Sequence, residues 1–408
     1  GRSAPAKVVA STATIRRASD QVRAVFARTA RQFPPPGLTN RHSFFAVEAP
    51  RTEKASREYV GAMAPGASQT TLMVRVYASL LQSASVVPET DDSADLYWTL
   101  LGYFNSLRIL GGAYIQVLDD VPDQMKVIAR RRGETLREPK NVREMTSRKR
   151  SSEIPHELEI LERRRGQVDA ADVVLATNMI SVGVDVDRLG LMVVMGQPQT
   201  TSEYIQATSR VGRRMPGLVV TVYNSGRSRD LSHYENFAAY HRTLYRHVEA
   251  TGATPFAPRA RDRALHAVLV ALARHRIPEA GPSGAAGDAA DWVEKLEELA
   301  EVIVARSVAT RPPGDAPSDD ESPERIRMEL ADLIDHWADA HLNHYEGWFN
   351  RYRGALLVEA SRVLGKDEPE ADFPPAEPAW PTLTSMRDVD AESSVYLIRR
   401  RGRSRRER

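Results

Sequence analysis

From Ala171 to Arg214 the chain reads ADVVLATNMISVGVDVDRLGLMVVMGQPQTTSEYIQATSRVGRR. Two unbroken apolar runs, Val173 to Ala176 and Leu191 to Met195, each end in a polar turn. Runs without polar alternation are what strands buried on both faces of a parallel sheet require. Thr200 and Glu203 have capping-box spacing, so a helix is predicted to begin just after Pro198. If that helix continues through Arg213, then Gln206, Arg210 and Arg213 stand at i, i+4 and i+7 on one face. Gly183, Asp185 and the two arginines then gather at the carboxyl edge of the sheet, where open α/β sheets bind ligands. Taken alone, arginines near a helix C-terminus also fit a solvated helix end, where the dipole favours cations.

The surrounding pattern extends the sheet. Leu96 to Phe104 is a strand candidate, and Asn105 and Ser106 are placed to cap a helix carrying Leu107, Leu110, Tyr114 and Val117 on one side. A basic loop, Arg130 to Arg150, precedes a short helix near Pro155. Leu218 to Tyr223 supplies a further strand. Strand and helix in alternation predict a parallel α/β sheet with right-handed crossovers. Upstream, Lys7 to Ile15 reads as a buried strand ending in Ser11-Thr12-Ala13-Thr14, followed by a helix over Arg16 to Arg31. His42 to Pro50 suggests a short strand, and Gln69 to Ser83 has helical spacing.

Beyond Tyr223 the reading becomes helical, with helices over 231–250, 261–275, 292–308 and 326–363. The stretches EAGPSGAAGDAAD, TRPPGDAPSDDESPE and KDEPEADFPPAEPAWP between them read as unstructured linkers, being rich in proline, glycine and acid. The final residues, IRRRGRSRRER, form a basic tail. That tail and the Arg130 to Arg150 loop fit either solvated charge runs or tracks for a phosphate backbone.

Composition narrows the class. With 408 residues, 42% of them hydrophobic, the chain can bury more than one core. A formal charge of +2 does not by itself mark a nucleic-acid binder. The absence of cysteine excludes disulfides and thiolate metal sites. No apolar run approaches the roughly 18 residues needed to span a bilayer, and the opening lacks the apolar core of a secretory signal. The cytoplasm is therefore the expected location. The chain starts without methionine, and its opening reads as the interior of a longer protein. Asp335, His336, Asp339, His341 and His344 crowd one stretch but lie among Leu333, Trp337 and Trp348, so an amphipathic helix is expected there and no metal site.

In order and spacing, the segments from Thr177 to Arg213 resemble motifs V and VI of superfamily 2 helicases. Motif VI in that family reads Gln or His, Arg, any, Gly, Arg, any, Gly, Arg. Here Gln206, Arg210, Gly212 and Arg213 match it, while the first arginine and first glycine are absent. Ser11-Thr12-Ala13-Thr14 resembles motif III, and Tyr103-Phe104-Asn105-Ser106 resembles motif IV. The resemblance implies a RecA-like, P-loop-NTPase-type parallel sheet followed by a mainly α-helical accessory region. It also implies ATP and Mg²⁺ as cofactors, with Arg210 and Arg213 as catalytic contacts to the ATP phosphates. Gly183, Asp185 and Gln206 would border the nucleotide. Thr177, Asn178, Asn105 and Ser106 would meet the nucleic-acid backbone, and Ser11 to Thr14 would couple the domains.

The implied organisation is a remnant of a first RecA-like domain (1–31), a connecting segment (32–94) and the second RecA-like domain (95–229). A helical accessory region (230–370) and a C-terminal segment with the basic tail (371–408) follow. No G-x-x-x-x-G-K-[ST] phosphate loop occurs, so this polypeptide alone is expected not to hydrolyse ATP. In finer detail, SHYENF, PFAPRARDR and TSMRDVD together with the central string resemble the helicase subunit of the DISARM phage-restriction system. That resemblance implies action on DNA, RNA not being excluded, with defence-system subunits including a methyltransferase as partners. The rival reading is a non-catalytic, helicase-derived scaffold that binds nucleic acid or proteins. A Rossmann-type dehydrogenase would want G-x-G-x-x-G after a strand, and none is present.

Overall fold

The computed structural model describes residues 6–12, 14–35, 38–39, 42, 44–45, 47–50, 52–54, 56–88, 93–146, 149, 153–178, 186–213, 215–250, 252–312, 314–346, 354–359 and 380–382. The chain divides into two compact units. One comprises the described residues of Ala55–Gln199 and Gln206–Ala239, and the other those of Gly1–Lys54, Thr200–Ile205 and Tyr240–Met386.

In chain order the helices α1 to α6 are Ala18–Phe26, Gln69–Ser85, Ser93–Leu96, Leu107–Leu118, Asp120–Arg132 and Ile154–Glu162. Helices α7 to α12 are Thr201–Thr208, Ser228–Glu235, Phe237–Arg242, Pro258–Arg276, Val293–Ala309 and Pro323–Ala338. Strands β1 to β6 are Arg57–Ala62, Leu100–Phe104, Val142–Met145, Val173–Ala176, Leu191–Met195 and Gly217–Val222. Strands β7 to β9 are His344–Glu346, Ala355–Glu359 and Trp380–Thr382.

In the first unit the six strands form one sheet in the order β1-β6-β5-β2-β4-β3, and each pairing is parallel. The α/β class expected from the apolar runs is observed. The interior strands β2, β4 and β5 are buried throughout, and Met73, Tyr77, Leu81, Leu110, Val117, Val121 and Met125 from α2, α4 and α5 share a core with them. At the amino-terminal side, Arg137 pairs with Asp172 at 2.8 Å and stacks over Trp98 at 3.6 Å. Burial pushes the Arg137 guanidinium down, and the Asp172 carboxylate pulls it back.

Several expectations are corrected. β1 and β3 lie at the two sheet edges inside stretches read as a connecting segment and a basic loop. Their charged residues, Arg57 and Glu58, Arg143 and Glu144, hide them from an apolar-run criterion and suit an edge. α5 ends inside that same loop, capped by Gly133 at φ 64° with its N–H on the Ala129 carbonyl. Lys7 to Ser11 is exposed and not a strand, because among the described residues no strand pairs with it. The described residues between His42 and Pro50 hold no strand either.

In the second unit α10, α11 and α12 surround a core that includes Leu269, Trp292, Leu296, Ile303, Leu330 and Trp337, as expected of a mainly helical region. Arg261 clamps α10 to α12 through Glu329 at 2.6 and 2.9 Å. The predicted helix over 326–363 ends instead at Ala338, and β7 and β8 pair downstream. Gly354, at φ 74°, accepts from the Asn343 N–H at 2.8 Å and sets that register. The predicted helix over 231–250 is split into α8, α9 and a 3₁₀ turn at Leu244–His247. EAGPSGAAGDAAD is not a loose linker. It forms 3₁₀ turns that bury Ala285, Ala286 and Ala289, and the Trp337 indole donates to the Ala286 carbonyl at 2.9 Å. Small residues there permit close packing, since a Cβ at Gly287 would collide with the Leu342 carbonyl.

Gly102 of β2 lies under the fully buried Tyr77, whose hydroxyl would overlap any Cβ at that position. Among the described residues that hydroxyl has no hydrogen-bond partner, and burial pushes the phenol's pKa upward. Gly102→Ala should cost about 3 kcal/mol. Tyr77→Phe alone should add about 1 kcal/mol by removing an unsatisfied buried group, and it should recover much of the Gly102→Ala loss. Denaturant midpoints of the two single variants and the double variant check this. Asp95 gives a pH signature. Burial raises its carboxyl, but hydrogen bonds from Arg188 and the Arg165 N–H, with the charges of Arg188 and Arg164, hold it below the usual carboxylate range. Its contribution is complete above an unfolded value of about 3.9 and is lost as pH falls through the lower folded value. Asp95→Asn should therefore flatten the acid limb of a melting-temperature profile.

Candidate functional site

Because every strand runs the same way, the loops after β2, β4, β5 and β6 leave from one edge. Asn105 and Ser106 follow β2, Thr177 and Asn178 follow β4, Gly196 and Gln197 follow β5, and Tyr223 and Asn224 follow β6. The Asn105 amide donates to the carbonyls of Met195 and Gln197, both at 3.3 Å, tying two strand ends together. Ser106 accepts from the Ile109 N–H at 3.4 Å and caps α4 as the sequence implied. Thr177 is buried, and among the described residues its Oγ1 has no hydrogen-bond partner. Asn178, directly after it, is half-buried.

One buried acid that the sequence reading missed organises this edge. Asp230 of α8 accepts from the Gln197 N–H at 3.1 Å and the Asn224 N–H at 2.8 Å. Gly196 turns at φ 74°, and a Cβ there would approach the Asp230 carboxylate to 3.1 Å. Arg229 donates to the Pro198 and Gln199 carbonyls. The only sequence signal for Asp230 was an acid in the first turn of a helix next to a strand end, a common arrangement.

α7 begins where expected, with the Thr200 hydroxyl accepting from the Glu203 N–H at 3.2 Å. It ends at Thr208, however, so Gln206, Arg210 and Arg213 do not form one stripe along a helix. Arg210 and Arg213 lie in the turn beyond it, and all three side chains are half-buried. The stop has a local cause. Val211 is fully buried, its carbonyl accepts from Arg57 Nε at 2.7 Å, and Gly212, at φ 65°, donates to the Leu189 carbonyl at 2.9 Å. Arg213 Nε reaches back to the Ser209 carbonyl at 3.3 Å. Burial pushes the Arg210 guanidinium below the usual arginine range.

Gly183, Asp185 and Ala13 lie outside the described residues. Ser11 and Thr12 are exposed and Thr14 is half-buried, its N–H meeting Thr12 Oγ1 at 3.3 Å. His336 stacks on Trp380 with ring centroids 6.3 Å apart, and His344 stands on β7. Among the described residues no three His, Asp or Glu side chains are grouped to hold a metal ion. No helix among them is long and apolar enough to cross a membrane.

Two half-buried arginine side chains suit an anionic ligand, but they stand beside the starts of β1, β5 and β6, at the amino-terminal edge of the sheet, and not with Thr177 at the carboxyl edge where the sequence placed them. The sequence agrees with a specific class, since residues 126–215 match the helicase conserved C-terminal domain. The chain is thus of helicase type. Over 402 residues, 96% of its length, it is 44% identical to the DISARM protein DrmA of Bacillus paralicheniformis, and it spans 34% of that protein. Among solved structures it is similar to the DUF1998 helicase MrfA bound to DNA, at 17% identity and a TM-score of 0.35, covering 51% of this chain and 25% of that one. It is also similar to the Mycobacterium smegmatis helicase Lhr bound to ssDNA and AMP-PNP, at 13% identity and a TM-score of 0.36, covering 72% and 31%.

The edge has a direct stability test. Asp230→Ala strands two N–H groups and should cost about 3 kcal/mol, whereas Asp230→Asn keeps one acceptor and should cost roughly half as much. Chemical denaturation of both variants checks the order.

Proposed function

We propose that this chain is the C-terminal part of an ATP-dependent superfamily 2 helicase or translocase that acts on DNA in anti-phage defence, in the cytoplasm. The observation that carries the reading is the turn after α7, where backbone contacts hold Arg210 and Arg213 half-buried within the stretch that matches the helicase model. A partly desolvated guanidinium is pre-organised for phosphate, because its planar fork binds oxygen pairs and less water must be displaced. The residues present fit the phosphate end of a nucleotide. Arg210 and Arg213 would meet its terminal phosphates, with Gln206, Gly183 and Asp185 bordering it.

Bound ATP would supply the free energy of phosphoryl transfer. The arginines would neutralise charge that develops during transfer, an effect of about 10³ to 10⁵ in rate in other NTPases. Mg²⁺ and a phosphate-loop lysine would be held elsewhere in the complete protein, since the chain contains no phosphate loop. Thr177, whose hydroxyl is buried, would meet a nucleic-acid phosphate without reading bases, and Asn178, Asn105 and Ser106 would flank it. Ser11 to Thr14 would couple the domains. The relationship to DrmA, a DISARM protein, supports the defence assignment and other subunits, a methyltransferase among them, as partners.

In the complete protein Arg210→Ala should reduce DNA-stimulated ATP hydrolysis by at least a thousandfold while leaving most DNA affinity intact. The 408-residue chain alone should show no DNA-stimulated hydrolysis above background. Undiminished turnover in Arg210→Ala, or robust hydrolysis by the chain alone, would contradict the assignment and favour the scaffold reading.

A further inference from the structure

A second cationic site lies within the helical unit. Thr14, Ile15 and Arg16 meet Tyr245, Arg246 and Val248 around an open cavity of about 540 Å³. Arg16 donates to the Val248 carbonyl at 3.3 Å, closing a contact between residues 232 apart in sequence. The 3₁₀ turn at Leu244–His247 buries Leu244 and turns Tyr245 outward, leaving it 68% exposed. Arg16 and Arg246 are both exposed, and among the described residues neither has a carboxylate partner. The nearest acid in sequence, Glu249, is already engaged, with both oxygens accepting from the Thr201 N–H at 2.8 Å.

Two uncompensated guanidinium groups on one cavity repel each other and attract an anion. A phosphate alone would not call for the third element, a tyrosine ring held out of the core. Single-stranded nucleic acid needs both, cations for the backbone and an aromatic face for a base. We propose that this cavity binds single-stranded nucleic acid, with Arg16 and Arg246 on successive phosphates and Tyr245 stacked on a base. The inference rests on the helicase reading for its ligand class and extends it to Arg16, Tyr245 and Arg246, which no motif covers. Contact there would be salt-sensitive and sequence-tolerant.

The test uses the 408-residue chain and fluorescence anisotropy with dT₂₀, rU₂₀ and an abasic strand of equal length. Wild type should bind dT₂₀ more tightly than the abasic strand. Tyr245→Ala should weaken dT₂₀ binding about tenfold and abolish the difference between the strands, while Tyr245→Phe retains it. Arg16→Gln with Arg246→Gln should lower the salt slope by about 1.4, and Arg246→Gln alone by about 0.7, with melting temperatures unchanged in the latter. The dT₂₀ and rU₂₀ arms separate DNA from RNA. A 5-iodouracil strand should crosslink to Tyr245. Tight binding that none of these variants alters, or crosslinks only elsewhere, overturns this site and leaves the helicase reading standing. No strand bound by wild type overturns this site too, and the helicase reading is then judged separately by the Arg210→Ala turnover experiment.

Discussion

The close approach of Gly212 to Gly217 fixes where the two arginines stand. A Cβ on either glycine would lie 2.7 Å from the other's Cα, and Gly212 also holds a left-handed backbone conformation. The side chain is therefore excluded twice, by space and by φ. With Gly212 seated, its N–H reaches the Leu189 carbonyl, Arg57 takes the Val211 carbonyl, and the Tyr59 hydroxyl meets that of Thr208 at 3.3 Å. Helix α7 ends because the chain is pinned to the sheet at this point. Arg210 and Arg213 belong to a turn braced by β1 and by the loop before β5, and not to a helix end in solvent.

The same economy of buried polar groups organises the opposite, carboxyl edge of the sheet. Loops leaving parallel strands carry N–H groups that cannot all find ladder partners, and each buried one needs an acceptor. Asp230 satisfies two of them, and the Asn105 amide, just after β2, donates to the Met195 and Gln197 carbonyls at the end of β5. Thr177 Oγ1 and Asn105 Oδ1 are exceptions, buried polar atoms with no hydrogen-bond partner among the described residues. A rigid rim that holds the Thr177 hydroxyl unsatisfied is the kind of surface that the proposed nucleic-acid phosphate contact requires.

How much of this was legible depends on which physical signal each residue carries. β2, β4, β5 and β6 stood out because interior parallel strands are unbroken apolar runs. β1 and β3 did not, since edge strands carry charge. Ser106 and Thr200 announced two helix starts through cap chemistry, whereas the end of α7 depended on a contact between Gly212 and Gly217 that spacing cannot reveal. The alanine- and glycine-rich 283–292 stretch resembles a linker in composition. Its small residues serve close packing under Trp337, which only the tertiary structure shows. Asp230 carried no motif at all, because its role is to accept from backbone groups brought together by the fold.

The central claim is that the turn after α7 presents Arg210 and Arg213 to nucleotide phosphates. Phenylglyoxal footprinting of the complete protein, with and without AMP-PNP and read by mass spectrometry, tests it most directly. The account predicts that both arginines lose reactivity when nucleotide binds, while exposed arginines such as Arg108 do not change. Equal reactivity of Arg210 and Arg213 in the two states, under conditions where nucleotide binding is independently confirmed, would contradict it.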